Sequence, residues 1–424
     1  MIIRNYRELA TSPLRRTALD VLEAGLAALQ TPDIMRRSVT LFGLGAWLRV
    51  KDVEIDLSQF PQILVVGIGK AAVAMGKTLE EILGDRITTG IILDRKPGAF
   101  RKLKSMVVSH PDPAPQNVRA TEEVISLLKK ADPKTLVIVL ISGGGSAMLT
   151  APYKIGVDQK SAIARKLMDS GATIQELNVV RKHLSRIKGG RLVEYVYPAR
   201  VLSLILSDVT GDDLATIASG PTVKDPTTVE EARSVLRKHD LSEQIELSES
   251  PKDPKLFENV TNMILANMAT AIPPMEKKAK QLGFTSRVLS TSLTGDADHV
   301  GKGLLLKLRP GEVLLSTGET TVKVGGRGTG GRNQQLVLSA LRHVLENQLI
   351  AAVGTDGRDN TNNAGALGDQ STLIRANKMG LDPKDFAKTY DSYTFFHKVG
   401  DGIFTGDLES NFADIVLALW GKGA

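Results

Sequence analysis

The sequence ILVVGIGKAA, residues 63–72, decides the fold class of this chain. Its apolar run, residues 63–66, is typical of a strand that is buried on both faces of a sheet. Residues 71–83 then follow a helical pattern, so a strand passes through a glycine-rich turn directly into a helix. This strand–turn–helix unit indicates an α/β fold.

The turn inside this unit, GIGK, has two interpretations that the residues leave open. Free N–H groups at the following helix start can bind an anion, and Lys70 would place a positive charge beside a phosphate. As GxGxxA from Gly67 to Ala72, with Asp94 ending the next strand, the turn resembles a dinucleotide-binding fingerprint. Both interpretations place a phosphate-bearing ligand at this turn, and the alternative to them is a tight strand-to-helix turn without a ligand.

Predicted strands and helices alternate along most of the chain, which favours a mostly parallel sheet. The polar segment 241–255, with two prolines, is predicted to be a linker or a long surface connection. We predict strands at residues 89–93, 106–109, 136–141, 201–206, 287–290, 313–316, 320–324 and 349–353, and helices at residues 18–30, 32–47, 117–130, 256–282, 334–347 and 412–420.

The composition excludes several classes of protein. Because the 424 residues include no cysteine, disulfide frameworks, thiolate metal sites and cysteine nucleophiles are excluded. No apolar stretch approaches the roughly 20 residues of a membrane span, and the N-terminus lacks the apolar core of a signal peptide, which predicts a cytoplasmic protein without a membrane partner. The net charge is only +7 and aromatic residues make up 4% of the chain, so a nucleic-acid partner is not expected.

Four further loops carry residues that suit phosphate chemistry. The triple-glycine loop between Ser142 and Ser146 allows the backbone to close around a phosphate or carboxylate. Asp208, after a buried-type strand, is a candidate Mg²⁺ ligand, although aspartate is also common in turns. Arg332 ends a glycine-rich loop with a guanidinium that fits phosphate, and Asp356 lies in an acidic loop. This inventory matches phosphoryl transfer, which depends on positioning and charge neutralisation.

Seven blocks of sequence resemble the glycerate 2-kinase family, whose C-terminal part is called the MOFRL domain, and they occur in the family's order. The run around Asn267, LANMA, is less polar than the family pattern leads us to expect. The seven blocks are VVGIGKAAVAMG, ISGGGSAML, LNVVRKHLSRIKGGRL, LSDVTGDDLATIASGPT, STGETTVKV, GGRNQQ and GTDGRDNTNNAGALGD.

The resemblance implies two domains with the active site in the cleft between them. Residues 1–255 would form a Rossmann-like N-terminal domain with a mostly parallel sheet, onto which the tail 410–424 packs back. Residues 256–409 would form the α/β MOFRL domain. The implied reaction is ATP-dependent phosphorylation of D-glycerate at the 2-hydroxyl, which gives 2-phosphoglycerate and ADP and uses Mg²⁺ or another divalent cation. A homodimer is compatible with these expectations.

The motifs and the resemblance together predict the residues of the site. The predicted catalytic residues are Lys70, Arg332 and Asp208. Nucleotide or phosphate binding is predicted for Gly67, Gly69, Ser142, Gly143, Gly144, Gly145, Ser146, Asn267, Thr317, Gly318 and Glu319. Substrate binding is predicted for Arg181, Lys188 and Asp356, and metal binding for Asp208 and Asp356.

Two other functions stand as alternatives. An NAD-dependent hydroxypyruvate reductase, a label that members of this family have carried, would use the fingerprint that ends at Asp94. Against it, Lys70 inside the turn is better explained by a transferable phosphate. A basic nucleic-acid-binding module would leave the acidic loops at Asp208 and Asp356 without a role.

Overall fold

In a computed structural model, described for residues 1–241, 245–323 and 325–422, the chain forms two compact units. One unit, Thr31–Leu265, is called the parallel-sheet unit below. The other, the mixed-sheet unit, joins Met1–Gln30 to Ala266–Ala424. The chain therefore begins in the mixed-sheet unit, leaves it to form the parallel-sheet unit and then returns.

The bounds of the elements are as follows. The helices are α1 (Tyr6–Leu9), α2 (Pro13–Ala28), α3 (Thr31–Ser38), α4 (Ala72–Leu83), α5 (Pro115–Leu128), α6 (Gly145–Met148), α7 (Val157–Asp169), α8 (Ile174–His183), α9 (Arg191–Val196), α10 (Val229–Lys238), α11 (Ile272–Gln281), α12 (Ala297–Lys307), α13 (Arg332–Leu341), α14 (Gln370–Lys378), α15 (Pro383–Thr389) and α16 (Ser392–Val399). The strands are β1 (Val39–Phe42), β2 (Trp47–Val50), β3 (Val53–Asp56), β4 (Gln62–Ile68), β5 (Thr89–Asp94), β6 (Leu103–Val107), β7 (Thr135–Ile141), β8 (Arg200–Leu206), β9 (Val260–Ala266), β10 (Thr285–Leu293), β11 (Glu312–Gly318), β12 (Gln348–Gly354), β13 (Gly365–Asp369), β14 (Gly402–Ile403) and β15 (Asp414–Trp420).

The parallel-sheet unit is built on six strands in the order β6-β5-β4-β7-β8-β9. Strand β4 pairs in parallel with both β5 and β7, and β7 pairs in parallel with β8. This is the strand order 3-2-1-4-5-6 of a Rossmann-like sheet, so the predicted fold is confirmed. The direction of winding reverses between β4 and β7, and the loops that follow these two strands therefore flank the crevice where such sheets bind ligands.

The mixed-sheet unit has its last strand in the middle of its sheet. The order is β10-β11-β15-β12-β13-β14, and β15 runs antiparallel to both β11 and β12. Leu417 pairs with Leu315 on one side and with Ala351 on the other. The tail is therefore part of the mixed-sheet unit, to which residues 1–30 of the predicted N-terminal domain also belong, and the predicted helix 412–420 is a strand. A short apolar run fits a buried strand as well as a helix, and pairing on both sides decides between them.

The N-terminal segment also belongs to the mixed-sheet unit. Arg15, on α2, is buried and forms ion pairs with Asp369 (2.7 Å) and Asp401 (2.6 Å). Such a buried arginine with two carboxylates ties α2 to elements that follow it by more than 350 residues. The predicted domain bounds of 1–255 and 256–409 therefore differ from those of the structure.

Three further predicted elements differ from those observed. The predicted helix 32–47 ends at Ser38, and the chain continues as β1 and β2 around a turn at Gly43–Gly45, where all three residues have positive φ. The predicted helix 256–282 contains β9, which completes the parallel-sheet unit. The predicted strand 320–324 forms only a single bridge, at Thr321, and its last residue lies outside the described part of the chain.

The predicted linker 241–255 falls within the parallel-sheet unit, and residues 242–244 lie outside the described residues. The chain instead passes from one unit to the other at residues 30/31 and 265/266. Among the described residues, no helix is both long and apolar enough to cross a membrane.

Candidate active site

Helix α4 begins directly behind the glycine turn that follows β4, where the sequence predicts free N–H groups for an anion. In the structure these groups are already bonded within the protein, so that prediction is wrong. The N–H groups of Lys70, Ala71, Ala72 and Val73 donate to Gly143 O (2.9 Å), Ser142 Oγ (3.1 Å), Gly69 O (3.1 Å) and Asp94 Oδ2 (3.0 Å), respectively.

Asp94 is the residue that caps α4. Its side chain is 2% exposed, its Oδ1 accepts from the N–H of Arg95 (2.6 Å), and burial raises its pKa. Because this carboxylate is turned inward to serve the helix, it is not placed to bind the ribose of a dinucleotide. The reductase alternative therefore loses the acidic residue that its fingerprint required.

With these N–H groups bonded, the positive charge of this turn comes from the ammonium group of Lys70. Lys70 is half-buried, and it forms no ion pair with any residue in the described part of the chain. Its charge acts on His110, whose pKa is lowered to about 4 by burial and by the positive charges of Lys70 and Arg95. A bound anion would therefore find an uncompensated cation here.

The triple-glycine loop lies against Lys70. The N–H groups of Gly143 and Gly144 have no acceptor among the described residues, so they are available to a ligand. Gly144 has a φ of +84°, and a Cβ there would lie 3.0 Å from the ring of His110 and 3.3 Å from Cγ of Lys70. Glycine is therefore required at this close approach.

A cavity of about 240 Å³ opens beside this loop, within the parallel-sheet unit. Gly144, Ser146, Arg181 and Lys188 all line it, which brings four predicted residues together. Lys188 is buried, and its Nζ donates to the carbonyls of Ser146 (2.6 Å) and Leu149 (2.9 Å). Arg181 is half-buried, and burial lowers its pKa.

Lys160 and His110 are among the residues of this cavity that sequence reasoning missed. A signal for Lys160 was present, because Val157, Lys160, Ala164 and Leu167 share one face of a helical pattern and only the lysine is charged. His110 follows an ordinary predicted strand, and no local pattern distinguishes it.

Asp208 follows β8 at the carboxyl edge of the same sheet and is half-buried. Asp213, in the same loop, has a turn role, because its carboxylate accepts from the N–H of Ala215 (3.0 Å) and from Thr216 Oγ1 (2.5 Å). Within the described ranges, no group of three histidine, aspartate or glutamate side chains is arranged to hold a metal ion. A cation at Asp208 would therefore need further ligands from a phosphate.

In the mixed-sheet unit, Arg332 is the first residue of α13 and is held by two carboxylates. Its Nε and Nη2 donate to Asp414 (2.5 and 3.1 Å), and its Nη1 donates to Glu319 (2.6 Å). Asp414 is 3% exposed, whereas Glu319 is exposed. The structure thus brings the predicted residues Arg332 and Glu319 into direct contact, and it adds Asp414 as a second partner of Arg332 that the sequence did not reveal.

Helix α13 is capped by a buried aspartate, Asp359, which is 5% exposed. Its carboxylate accepts from the N–H groups of Asn333 (3.1 Å) and Gln334 (2.8 Å). Burial, the largest influence, raises the pKa of Asp359 to about 6. Sequence reasoning missed this residue, because it selected the neighbouring Asp356, whose Oδ1 accepts from the N–H of Arg358 (3.0 Å) in a turn.

Three further predicted residues lie at strand ends: Thr317 and Gly318 end β11 in the mixed-sheet unit, and Asn267 directly follows β9. Thr317 is buried, and its hydroxyl has no partner in the described chain. Gly318 has a φ of +152°, and a Cβ there would lie 2.2 Å from the backbone nitrogen of Leu293. Asn267 caps the short 3-10 helix Met268–Ala271, where the N–H of Thr270 donates to its carbonyl (3.0 Å).

Comparisons with known proteins give a consistent relationship. Residues 17–249 match a family described as a domain of unknown function (DUF4147), and residues 312–414 match the MOFRL family. A D-glycerate 2-kinase from Thermotoga maritima is 35% identical over 84% of this chain and 90% of its own length. A relative from Agrobacterium vitis, provisionally named a hydroxypyruvate reductase, is 34% identical over 96% of this chain and 100% of its own length.

A solved structure extends the similarity to three dimensions. The crystal structure of a glycerate kinase from Thermotoga maritima matches with a TM-score of 0.85 and 32% sequence identity. The match covers 96% of this chain and 99% of that one, so both units take part in it. The chain belongs to the glycerate 2-kinase family.

Proposed function

We propose that this protein phosphorylates D-glycerate at its 2-hydroxyl with ATP, giving 2-phosphoglycerate and ADP. The observation that carries the proposal is that Lys70, which has no ion pair among the described residues, lies beside the N–H groups of Gly143 and Gly144, which have no acceptor there, at the reversal point of a Rossmann-like sheet. These are donors for phosphate oxygens, and they lie beside a cation-lined cavity that suits a small acid.

In this reaction the 2-hydroxyl oxygen of D-glycerate attacks the γ-phosphorus of ATP, and the bond from that phosphorus to the bridging oxygen of ADP breaks. Lys70 neutralises the charge that builds on the transferring phosphoryl group, and the glycine loop orients its oxygens. The hydroxyl proton passes to a carboxylate, for which Asp208 is our candidate. For Arg332, in the mixed-sheet unit, the role predicted from the sequence is phosphate binding through its planar guanidinium.

The residues fit a magnesium ion that arrives with ATP. In proteins, Mg²⁺ is usually held by one or two carboxylates together with phosphate oxygens and water. Its protein ligand would be Asp208 or Asp356, each of which is half-buried. When bound, the ion neutralises phosphate charge.

Product analysis tests the proposal directly. The protein is incubated with Mg-ATP and D-glycerate, and in parallel with NADH and hydroxypyruvate. We expect ATP consumption and a ³¹P signal that is split into a doublet by the single proton on carbon 2. A triplet would place the phosphate on carbon 3, and consumption of NADH without ATP turnover would replace the kinase with the reductase.

The cytoplasmic location and the homodimer stay predictions from the sequence. Asp356, Thr317, Gly318, Glu319 and Asn267 likewise keep their proposed roles in binding substrate or nucleotide. The buried hydroxyl of Thr317, which has no partner among the described residues, supports such a role because buried polar groups normally have one.

A further inference from the structure

Helix α7 (Val157–Asp169) places a lysine on its buried face. Lys160 is only 7% exposed, and its Nζ has no hydrogen-bond partner among the residues that the structure describes. A buried ammonium is normally paired, because an unpaired charge away from water is unfavourable. Lys160 is also not part of the kinase chemistry described above, so its position needs a separate explanation.

The surroundings of Lys160 are strongly cationic. Lys188 uses two of its three donors on backbone carbonyls, and Arg181 forms no ion pair within the described ranges. The charged or titratable side chains that line the cavity are His110, Asp112, Lys160, Arg165, Arg181 and Lys188, of which Asp112 alone is acidic and is exposed.

Burial and mutual repulsion both disfavour the charged forms of the two lysines. Burial, followed by the positive charge of Arg181, lowers the pKa of Lys160 to about 7. Burial and the charges of Lys160 and Arg181 lower the pKa of Lys188 well below its ordinary value. Among the described residues, no buried carboxylate lines the cavity, so an anion from outside would offset this charge.

We propose that Lys160 and Arg181 bind the carboxylate of the acceptor substrate, so that this cavity holds a short 2-hydroxy acid. The assignment rests on the proposed function and adds Lys160 as a substrate-binding residue. Gly144 lines the same cavity and approaches both Lys70 and His110. A carboxylate held at Lys160 therefore directs the rest of a short acid toward the phosphate-binding loop.

The size of the cavity supports a small acid as the occupant. Its volume of about 240 Å³ is below the roughly 300–1,000 Å³ of pockets that enclose drug-sized ligands. A three-carbon acid fits this space, whereas a whole nucleotide would extend out of it. We therefore assign the cavity to the acceptor and not to ATP.

The first test is binding of D-glycerate to Lys160→Met, measured by calorimetry. We expect the affinity to fall about 10- to 100-fold, the range for losing hydrogen bonds to a charged group. The KM for ATP should stay within about twofold. Lys166→Met is the matched control, because Lys166 is an exposed lysine on the same helix, and it should change neither value.

An uncharged analogue shows whether the carboxylate is the group recognised. The wild-type protein should bind D-glycerate more tightly than D-glyceramide, in which an amide replaces the carboxylate. Lys160→Met should lose most of this preference, and Lys160→Arg should retain part of it. An unchanged preference in Lys160→Met would overturn the assignment.

The stability of the unliganded variant separates a binding role from a structural one. Replacing an unpaired buried ammonium with an apolar side chain of similar length removes an unfavourable charge, so the Tm of Lys160→Met should be unchanged or higher. A Tm lowered by several degrees, with glycerate affinity intact, would mean that Lys160 supports the fold and would overturn the proposal.

A labelling experiment on the wild-type protein needs no variant. An amine with a lowered pKa is acetylated readily near neutral pH, and bound D-glycerate should protect Lys160 but not Lys166, as read by mass spectrometry. Equal labelling with and without saturating D-glycerate would count against the site.

The two proposals fail in different ways. If D-glycerate is phosphorylated but its affinity does not depend on Lys160, the kinase stands and the cavity assignment is wrong. If D-glycerate binds through Lys160 but no phosphate is transferred, the site stands as an acid-binding site and the kinase proposal is wrong.

Discussion

Helices α4 and α13, one in each unit, begin in closely similar ways and differ in how they hold their cation. Each follows a glycine-rich loop, and each is capped by a buried aspartate, Asp94 or Asp359, that accepts backbone N–H groups. Lys70 at the first helix has no ion pair in the described chain, whereas Arg332 at the second is bound by two carboxylates.

This difference affects how each cation would bind a phosphate in the proposed reaction. Because the aspartates occupy the helix ends, the dipole and N–H groups there are already used, and anion binding passes to the side chains. Lys70 can bind a phosphate without releasing a partner. Arg332 is held in position by Asp414. To bind a phosphate, it would replace its contact with the exposed Glu319 by one with a phosphate oxygen.

Lys70→Ala should give the largest effect on activity. We expect kcat to fall about a hundredfold or more, the scale of losing one donor that stabilises a transition state, while the Tm stays the same because no ion pair is broken. Steady-state kinetics and thermal unfolding measure the two quantities. Lys77→Ala, an exposed lysine on α4, is the control. Near-normal turnover in the folded variant would remove Lys70 from the mechanism.

Arg332→Ala should lose both activity and stability, unlike Lys70→Ala. Removing Arg332 leaves Asp414 buried without its partner, and since the guanidinium is 35% exposed we expect a loss of about 2 kcal/mol in the free energy of unfolding. Arg332→Lys should recover part of the stability but little activity, because lysine lacks the planar fork. If denaturant unfolding shows no loss in the free energy of unfolding for Arg332→Ala, the proposed contrast between α4 and α13 is wrong.

The stability that the cap residue Asp359 contributes should depend on pH. The folded-state pKa of Asp359, about 6, lies above its ordinary value of 3.8, so the stability it contributes is full below about pH 4 and is lost as the pH rises through 6. Asp359→Asn should lack this dependence. The free energy of unfolding is measured for both proteins at pH 5 and pH 7. The advantage of the wild-type protein over the variant should be about 1 kcal/mol larger at pH 5 than at pH 7. The same difference at both pH values would show that Asp359 does not titrate in this range.

Glu319→Gln should give the smallest effect. An ion pair with an exposed carboxylate contributes about 0–1 kcal/mol, so stability should hardly change. If Arg332 must leave Glu319 to bind phosphate, the KM for ATP should stay the same or fall by up to about threefold. A KM raised tenfold would instead indicate that Glu319 itself contacts the nucleotide.

Much of the proposed phosphate site was predictable because its residues lie in short local patterns. The strand, glycine turn and Lys70 occupy ten consecutive residues, and the triple-glycine loop follows an unbroken apolar strand. The functions of Asp94 and Asp359 were not predictable in this way. Asp94 lies 21 residues from the N–H group of Val73 that it accepts from, and Asp359 lies 26 residues from Asn333.

The sequence by itself determined the α/β class, the family resemblance and the position of Lys70, because periodicity and motif spacing depend only on neighbouring residues. Only the tertiary structure decided that the tail is a central strand, that aspartates fill both helix ends, and that Lys160 faces a cavity. Each of these depends on partners distant in the chain: β15 pairs with two strands that precede it by more than 50 residues, and the charge around Lys160 comes from helices and loops that meet only on folding.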